Sequence, residues 1–241
     1  MIRDAFSGSP PAPPPTQPLI AVAPGSFTPR LLAAIAVVGA AICGFLALHS
    51  EVREGDTNAF DRALILALRQ TIDPNQLRGP RWFHEMARDI TALGGFTVLG
   101  LITLAALAVL LVYNRRRQAA VFAAAAVAAQ VAAEVIKHYV GRPRPAFVAQ
   151  YDLIASSSFP SGHSMMAPAI YFTLAAIVAA GELRFGARVL LLAGSVALVV
   201  AIGISRVYLG VHWPTDVIAG WTLGSAVALL AWVGLRWPER R

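Results

Sequence analysis

The chain has 241 residues, of which 57% are hydrophobic and only 14% charged, a balance too apolar for an ordinary soluble domain. Its net charge of +7 does not mark a nucleic-acid binder, because the basic residues are sorted by membrane side. The single cysteine, Cys43, excludes an intrachain disulfide.

Residues 1–30 begin without an apolar signal region and include the run from Pro10 to Pro15, broken only by Ala12. Such a run cannot form a helix or a sheet core, so the segment is expected to be a disordered, proline-rich cytoplasmic tail. A hydrocarbon core of about 30 Å needs around 20 apolar residues per helix. Six runs qualify, at 31–49, 91–113, 119–140, 164–180, 187–204 and 213–235. The fold expected is all-α, a polytopic bundle of six transmembrane helices over residues 31–235, followed by a short basic cytoplasmic tail at 236–241. Small residues such as Ala36, Ala40 and Gly44, or Gly95 and Gly100, are candidate points of close helix approach.

The longest connection, 51–89, is expected to face outward and to be partly helical. Phe60, Ala63, Leu64, Ala67 and Leu68 recur at helical spacing beside Asp61, Arg62 and Arg69. That pattern fits an amphipathic helix at the interface, or one packed on the outer ends of the bundle, ended by Asp73-Pro74-Asn75. With the amino terminus inside, the inner segments carry ten basic and three acidic residues, and the outer segments carry ten of each. Arg115, Arg116 and Arg117 sit at a span end, where the positive-inside rule is most informative. Both termini are therefore expected in the cytoplasm of a cell whose inner membrane holds the protein, with the connections after spans one, three and five on the periplasmic side.

Those outer connections carry the chemistry. Phosphoryl transfer asks for positive charge and hydrogen-bond donors around three equatorial oxygens, with a nucleophile and a leaving-group acid in line. Lys137 offers a point charge, and Arg144, between Pro143 and Pro145, offers a planar fork. Arg206 adds a third cation. Ser161 and Gly162 stand at a helix start, where unpaired donors collect and anions bind, and His163 follows within reach of a leaving group. Pro214 suits the first position of the last helix, which puts Asp216 where its carboxylate can reach back toward His212. Glu134 stands one turn before Lys137 and four residues before His138, so either is a possible partner.

Lys137, six residues, Arg144-Pro145; Pro160 to His163; and Ser205-Arg206, five residues, His212, three residues, Asp216 resemble, in type and spacing, the three signatures of the type 2 phosphatidic acid phosphatase superfamily. The likeness spans roughly residues 60–235. It implies His212 as a nucleophile forming a phosphohistidine, Asp216 as its orienting group, and His163 as the acid that protonates the leaving oxygen and then activates water. It implies Lys137, Arg144, Ser161, Gly162 and Arg206 as the phosphate-binding set, with no metal and no cofactor. Nothing in the chain clusters carboxylates, cysteine or further histidines at a metal spacing.

The function expected is removal of the terminal phosphate from a lipid phosphate or diphosphate whose tail stays in the bilayer. Undecaprenyl diphosphate, phosphatidate, phosphatidylglycerol phosphate and lipid A phosphate are the candidate headgroups. A phosphotransferase is one alternative. A lipid-binding or transport module that kept the pocket without turnover is another, although binding alone needs no in-line pair of histidines. The expected partners are the bilayer and its lipid phosphates, and no nucleic acid or obligate protein partner is called for.

Overall fold

The computed structural model describes residues 28–149, 156–181 and 183–236. These residues form eight helices and no strand: α1 (Thr28–Glu54), α2 (Asn58–Ala67), α3 (Arg81–Ala92), α4 (Phe96–Val112), α5 (Arg116–Val140), α6 (Gly162–Ala179), α7 (Phe185–Tyr208) and α8 (Pro214–Arg236). The first helix starts at Thr28, inside the segment expected as tail. The rest of that tail, and all of the carboxyl-terminal one after Arg236, lies outside the described residues.

Helices α1, α5, α6, α7 and α8 are each long and apolar enough to cross a membrane. Counted as one span, α3 and α4 make a sixth; the two are bent by 46° across a short break. A continuous helix over 91–113 was the expectation, and Gly94 and Gly95 are the reason it fails. Each glycine costs a helix interior about 1 kcal/mol relative to alanine. A Cβ on Gly94 would also lie 2.5 Å from Ile202 Cγ2 and 3.3 Å from His163 Cδ2. The 17 residues of α4 rise about 26 Å, short of a hydrocarbon core of about 30 Å.

Helices α6 and α8 form the centre of the bundle, with α5 and α7 against α6 and α1 against α8. Lipid is as apolar as the side chains, so close backbone approach and van der Waals contact hold such helices together. Gly220 supplies that approach: a Cβ there would lie 2.8 Å from the Ser161 carbonyl oxygen and 2.8 Å from Ser164 Cβ. Gly224 rests in the same way on Met165 and Pro168. The stripe expected on α1 does not work like this, since a Cβ on Gly44 would meet nothing within 4 Å. Helix α1 instead buries Ala34, Val38 and Phe45. Large apolar side chains such as Leu32, Leu46, Leu190 and Val196 point outward, as a lipid-facing surface requires.

The connection after α1 holds two helices. Helix α2 ends at Ala67, before Asp73, because the chain then pairs back on itself: Arg78 N donates to the Leu68 carbonyl and Gln70 N to the Gln76 carbonyl. The apolar stripe on α2 faces out, with Phe60 and Leu64 exposed, while Asp61 and Ile65 are fully buried. An acid expected on the solvated side is therefore the residue the helix buries. Because successive spans alternate in direction, α5 and α7 end, and α6 and α8 begin, at the same end of the bundle as α2. Buried polar residues, including Asp61, Arg142, Ser161, Arg206, His212 and Asp216, gather there.

Candidate active site

Helix α5 carries Lys137 and His138 in its last turn and is closed by Gly141, whose φ of +61° is a left-handed turn that glycine takes without strain. The chain then runs back as Gly141-Arg142-Pro143-Arg144-Pro145, with both prolines holding it extended. Arg144 is fixed by carbonyls: Nε donates to Ser156 O at 3.0 Å and Nη1 to Val211 O at 2.6 Å. The same Nη1 lies 3.2 Å from His212 Nε2.

That contact defines the state of His212. Its Nδ1 lies 2.8 Å from the Ser158 carbonyl oxygen. A carbonyl can only accept, so Nδ1 carries the proton and Nε2 presents its lone pair toward Arg144. Asp216 Oδ2 lies 3.4 Å from the same Nδ1 and accepts from the Trp213 amide at 2.9 Å. Asp216 thus closes a capping box on α8 and adds charge behind the imidazole, while the main-chain oxygen of Ser158 makes the shorter contact.

Burial pushes the His212 imidazole down from 6.5 to about 4, against the hydrogen bond and charge of Asp216 and with help from the charges of Arg206 and Arg144. A lowered value keeps Nε2 unprotonated and nucleophilic through neutral pH; the lone pair is lost only as pH falls through the lowered value. With His212 as the attacking group, the protein's own acid limb in kcat/KM is expected near pH 4, well below 6.5. Two substrates that differ in phosphate pKa check this, because any limb between pH 6 and 7 then moves with the substrate. A limb fixed near 6.5 on both would contradict it.

Helix α6 begins at Gly162, capped by Ser161 Oγ, which accepts from Ser164 N at 3.4 Å, and Ser161 N donates to the Asp216 carbonyl at 3.0 Å. The cap therefore joins α6 to α8. A Cβ on Gly162 would lie 3.2 Å from Lys137 Nζ, so the missing side chain lets the ammonium rest on the helix start. Lys137 also pairs with Glu134 at 3.3 Å. His163 follows, within electrostatic reach of Arg206, His212, Lys137 and Arg144. Arg206, 1% exposed, donates from Nη1 to Thr91 Oγ1 at 3.1 Å. All eight residues singled out in the sequence thus stand at one end of the bundle, around the helix start at Gly162.

Four further residues that contact this set are not singled out by the sequence. Ser158 acts through its main chain and leaves no side-chain signal. Thr91 was counted as span. Asp61 and Arg142 form a buried ion pair at 2.7 Å, and Arg142 also bonds Asp216 Oδ1 at 2.6 Å and Thr215 Oγ1 at 2.8 Å. The signal for Arg142 was its place two residues before Arg144; Asp61 had none.

A cavity of about 720 Å³ opens beside the site between α4, α5 and α6. Lys137, Gly162 and His163 line one part of it, and Leu99, Leu104, Val127, Val131 and Ile170 are among the apolar residues that line the rest. Among the described residues no three His, Cys, Asp or Glu side chains come together as metal ligands.

Fold and site define a multi-pass membrane protein with a cationic, histidine-bearing pocket at one end of its helices. The family model of the PAP2 superfamily matches residues 118–240, and the chain belongs to that superfamily. It is 32% identical over 182 residues to phosphatidylglycerophosphatase B of Bacillus subtilis, covering 74% of this chain and 82% of that protein. It is 35% identical over 130 residues to undecaprenyl-diphosphatase of Sulfolobus acidocaldarius, covering 52% of this chain and 59% of that protein. A solved structure, a transmembrane PAP2-type phosphatidylglycerolphosphate phosphatase from Bacillus subtilis, superposes with a TM-score of 0.70 at 28% identity, over 80% of this chain and 93% of that one.

Proposed function

We propose that this protein is a membrane lipid phosphatase that removes the terminal phosphate of a lipid phosphate or diphosphate through a phosphohistidine on His212, without a metal. One observation carries the reading: His212 Nε2, its lone pair free of the proton held at Nδ1, faces Arg144 beside a cavity lined mostly by apolar side chains, with Thr103, Gln130 and Glu134 among them. Lys137, Arg144 and Arg206 supply the positive charge that a metal gives elsewhere, and Ser161 with the Gly162 amide supplies donors at a helix start. His163, set among these cations, holds a proton once the negative charge of the bound phosphate offsets them, gives it to the departing oxygen and then takes a proton from the water that releases phosphate. The apolar wall suits a hydrocarbon tail entering from the bilayer, and the named activities of the relatives support the same substrate class.

The test is phosphate release by purified protein from phosphatidylglycerol phosphate, phosphatidate, undecaprenyl diphosphate and lipid A, with glycerol phosphate as the tail-free control. Turnover on at least one lipid and little on the control is the expected result. Saturable lipid binding with no phosphate released would replace the enzyme by a binding module.

The inner-membrane setting and a periplasmic site belong to the same reading, supported by Arg115 to Arg117 at the opposite end of the bundle from His212. On a Cys43→Ser background, Ile72→Cys, at a position 99% exposed, is expected to react with an impermeant thiol reagent on intact spheroplasts. Arg116→Cys is expected to react only after permeabilisation. The reverse order would put catalysis in the cytoplasm.

A further inference from the structure

A carboxylate with no role in the mechanism above is buried within two hydrogen-bonded steps of the nucleophile's own acid. Asp61, on α2, is fully buried. Its Oδ1 accepts from the Thr215 amide at 3.0 Å, and its Oδ2 from Thr215 Oγ1 at 2.6 Å and Arg142 Nη2 at 2.7 Å. The other nitrogen of the same guanidinium, Nη1, holds Asp216 Oδ1. Two buried carboxylates therefore share one arginine, and the triad as a whole carries one excess negative charge.

Burying a charge in a helix bundle is costly, and an excess one more so. A cap for α8 would not need it, since a neutral Asn or Ser also accepts from a helix-start amide. The excess has a use at His212. Paired with Arg142 alone, Asp216 would be half of a neutral ion pair and would offer little to the positive charge that builds on the imidazole as Nε2 attacks phosphorus. Asp61 offsets the charge of Arg142 from the far side and leaves Asp216 facing the ring as an uncompensated anion.

We infer that Asp61 is a positioning residue for the nucleophile, one that acts through Arg142 and Thr215 to hold Asp216 in place and to keep its charge available to His212. The inference rests on the reading of His212 as nucleophile. It gives α2, otherwise a short helix on the rim of the bundle, a part in the chemistry.

The test uses purified full-length protein in single-turnover and steady-state assays, with wild type first. Asp61→Asn keeps the shape and the acceptor for Thr215 N, removes the charge, and puts a donor in place of the oxygen that accepts from Thr215 Oγ1 and Arg142 Nη2. Its kcat is expected to fall about tenfold or more, short of the roughly 10⁴-fold seen when a carboxylate touching a catalytic histidine is neutralised, while KM stays within about threefold because no phosphate ligand has moved. Adding Arg142→Gln to Asp61→Asn restores the lone charge on Asp216, so the double variant is expected to turn over faster than Asp61→Asn alone. A purely structural role predicts the opposite order, since each change then removes another buried bond.

An Asp61→Asn enzyme with wild-type kcat, or a double variant slower than the single one, overturns the inference. If Asp61→Asn does not fold, the double variant is compared with wild type. A kcat within about tenfold of wild type supports the charge argument, and a loss as deep as that of His212→Ala overturns it. Wild-type protein that forms no phosphoenzyme sinks the nucleophile reading instead, an outcome separate from all of these.

Discussion

His212→Ala is expected to lower turnover by roughly four orders of magnitude or more, the scale on which removing a covalent nucleophile acts. His212 is 2% exposed and its ring is held from one side by the Ser158 carbonyl at 2.8 Å, so Nε2 has one direction in which to react. Neither neighbour substitutes for it: Arg144 cannot lose its proton, and His163 stands at the start of α6, away from the turn that holds His212, with the leaving group as its task. His163→Ala is expected to be less severe on substrates whose leaving group departs without a proton. Phosphate release from a good and a poor leaving group checks both variants; residual activity of His212→Ala within tenfold of wild type would remove the residue from the reaction path.

Arg206→Lys is the second large effect. The side chain is almost wholly buried at the end of α7 and reaches Thr91 at the end of α3. Lysine keeps the charge but loses the planar set of donors, and its compact ammonium cannot both hold Thr91 and meet two oxygens of a phosphoryl group. Loss of one well-placed transition-state donor costs around 100-fold or more, and kcat/KM is expected to fall by at least that much while thermal unfolding in detergent changes little. Near-normal turnover with a lowered unfolding temperature would make Arg206 a tie between α7 and α3.

Much of the architecture was legible because apolar length is a direct statement about a membrane. The runs at 31–49, 119–140, 164–180, 187–204 and 213–235 each appear as a helix. The break at Gly94 and Gly95 was harder to see, since the hydropathy of 91–113 stays high across it and only the nearness of His163 and Ile202 explains two adjacent glycines. Small-residue spacing misled on α1 for a related reason. Alanine and glycine recur in every span, and which of them meet a neighbour depends on tertiary placement, as Gly220 and Gly224 do and Gly44 does not.

The candidate site was legible in so far as it is made of side chains in fixed short spacings, which is why Lys137, Arg144, His163, His212 and Asp216 could be named together. What could not be read were long-range partners. Asp61 lies 81 residues from Arg142 and 154 from Thr215, and on a ten-residue helix with an apolar stripe it takes the place of an ordinary solvated acid. Ser158 contributes a carbonyl that any residue could supply. Periodicity and motif spacing are local signals, and a buried ion network joining three elements leaves no local trace.

A phosphohistidine on His212 is tested by quench-flow with a lipid substrate radiolabelled in its terminal phosphate. Wild-type protein is expected to carry label within a turnover, in a form stable to alkali and lost in acid, because a phosphorus–nitrogen bond weakens once the nitrogen is protonated. His212→Ala should carry none, and both the label and the turnover should persist in chelator. Label retained on the His212→Ala protein, or activity that vanishes in chelator and returns with magnesium, would rule out a metal-independent phosphohistidine on His212.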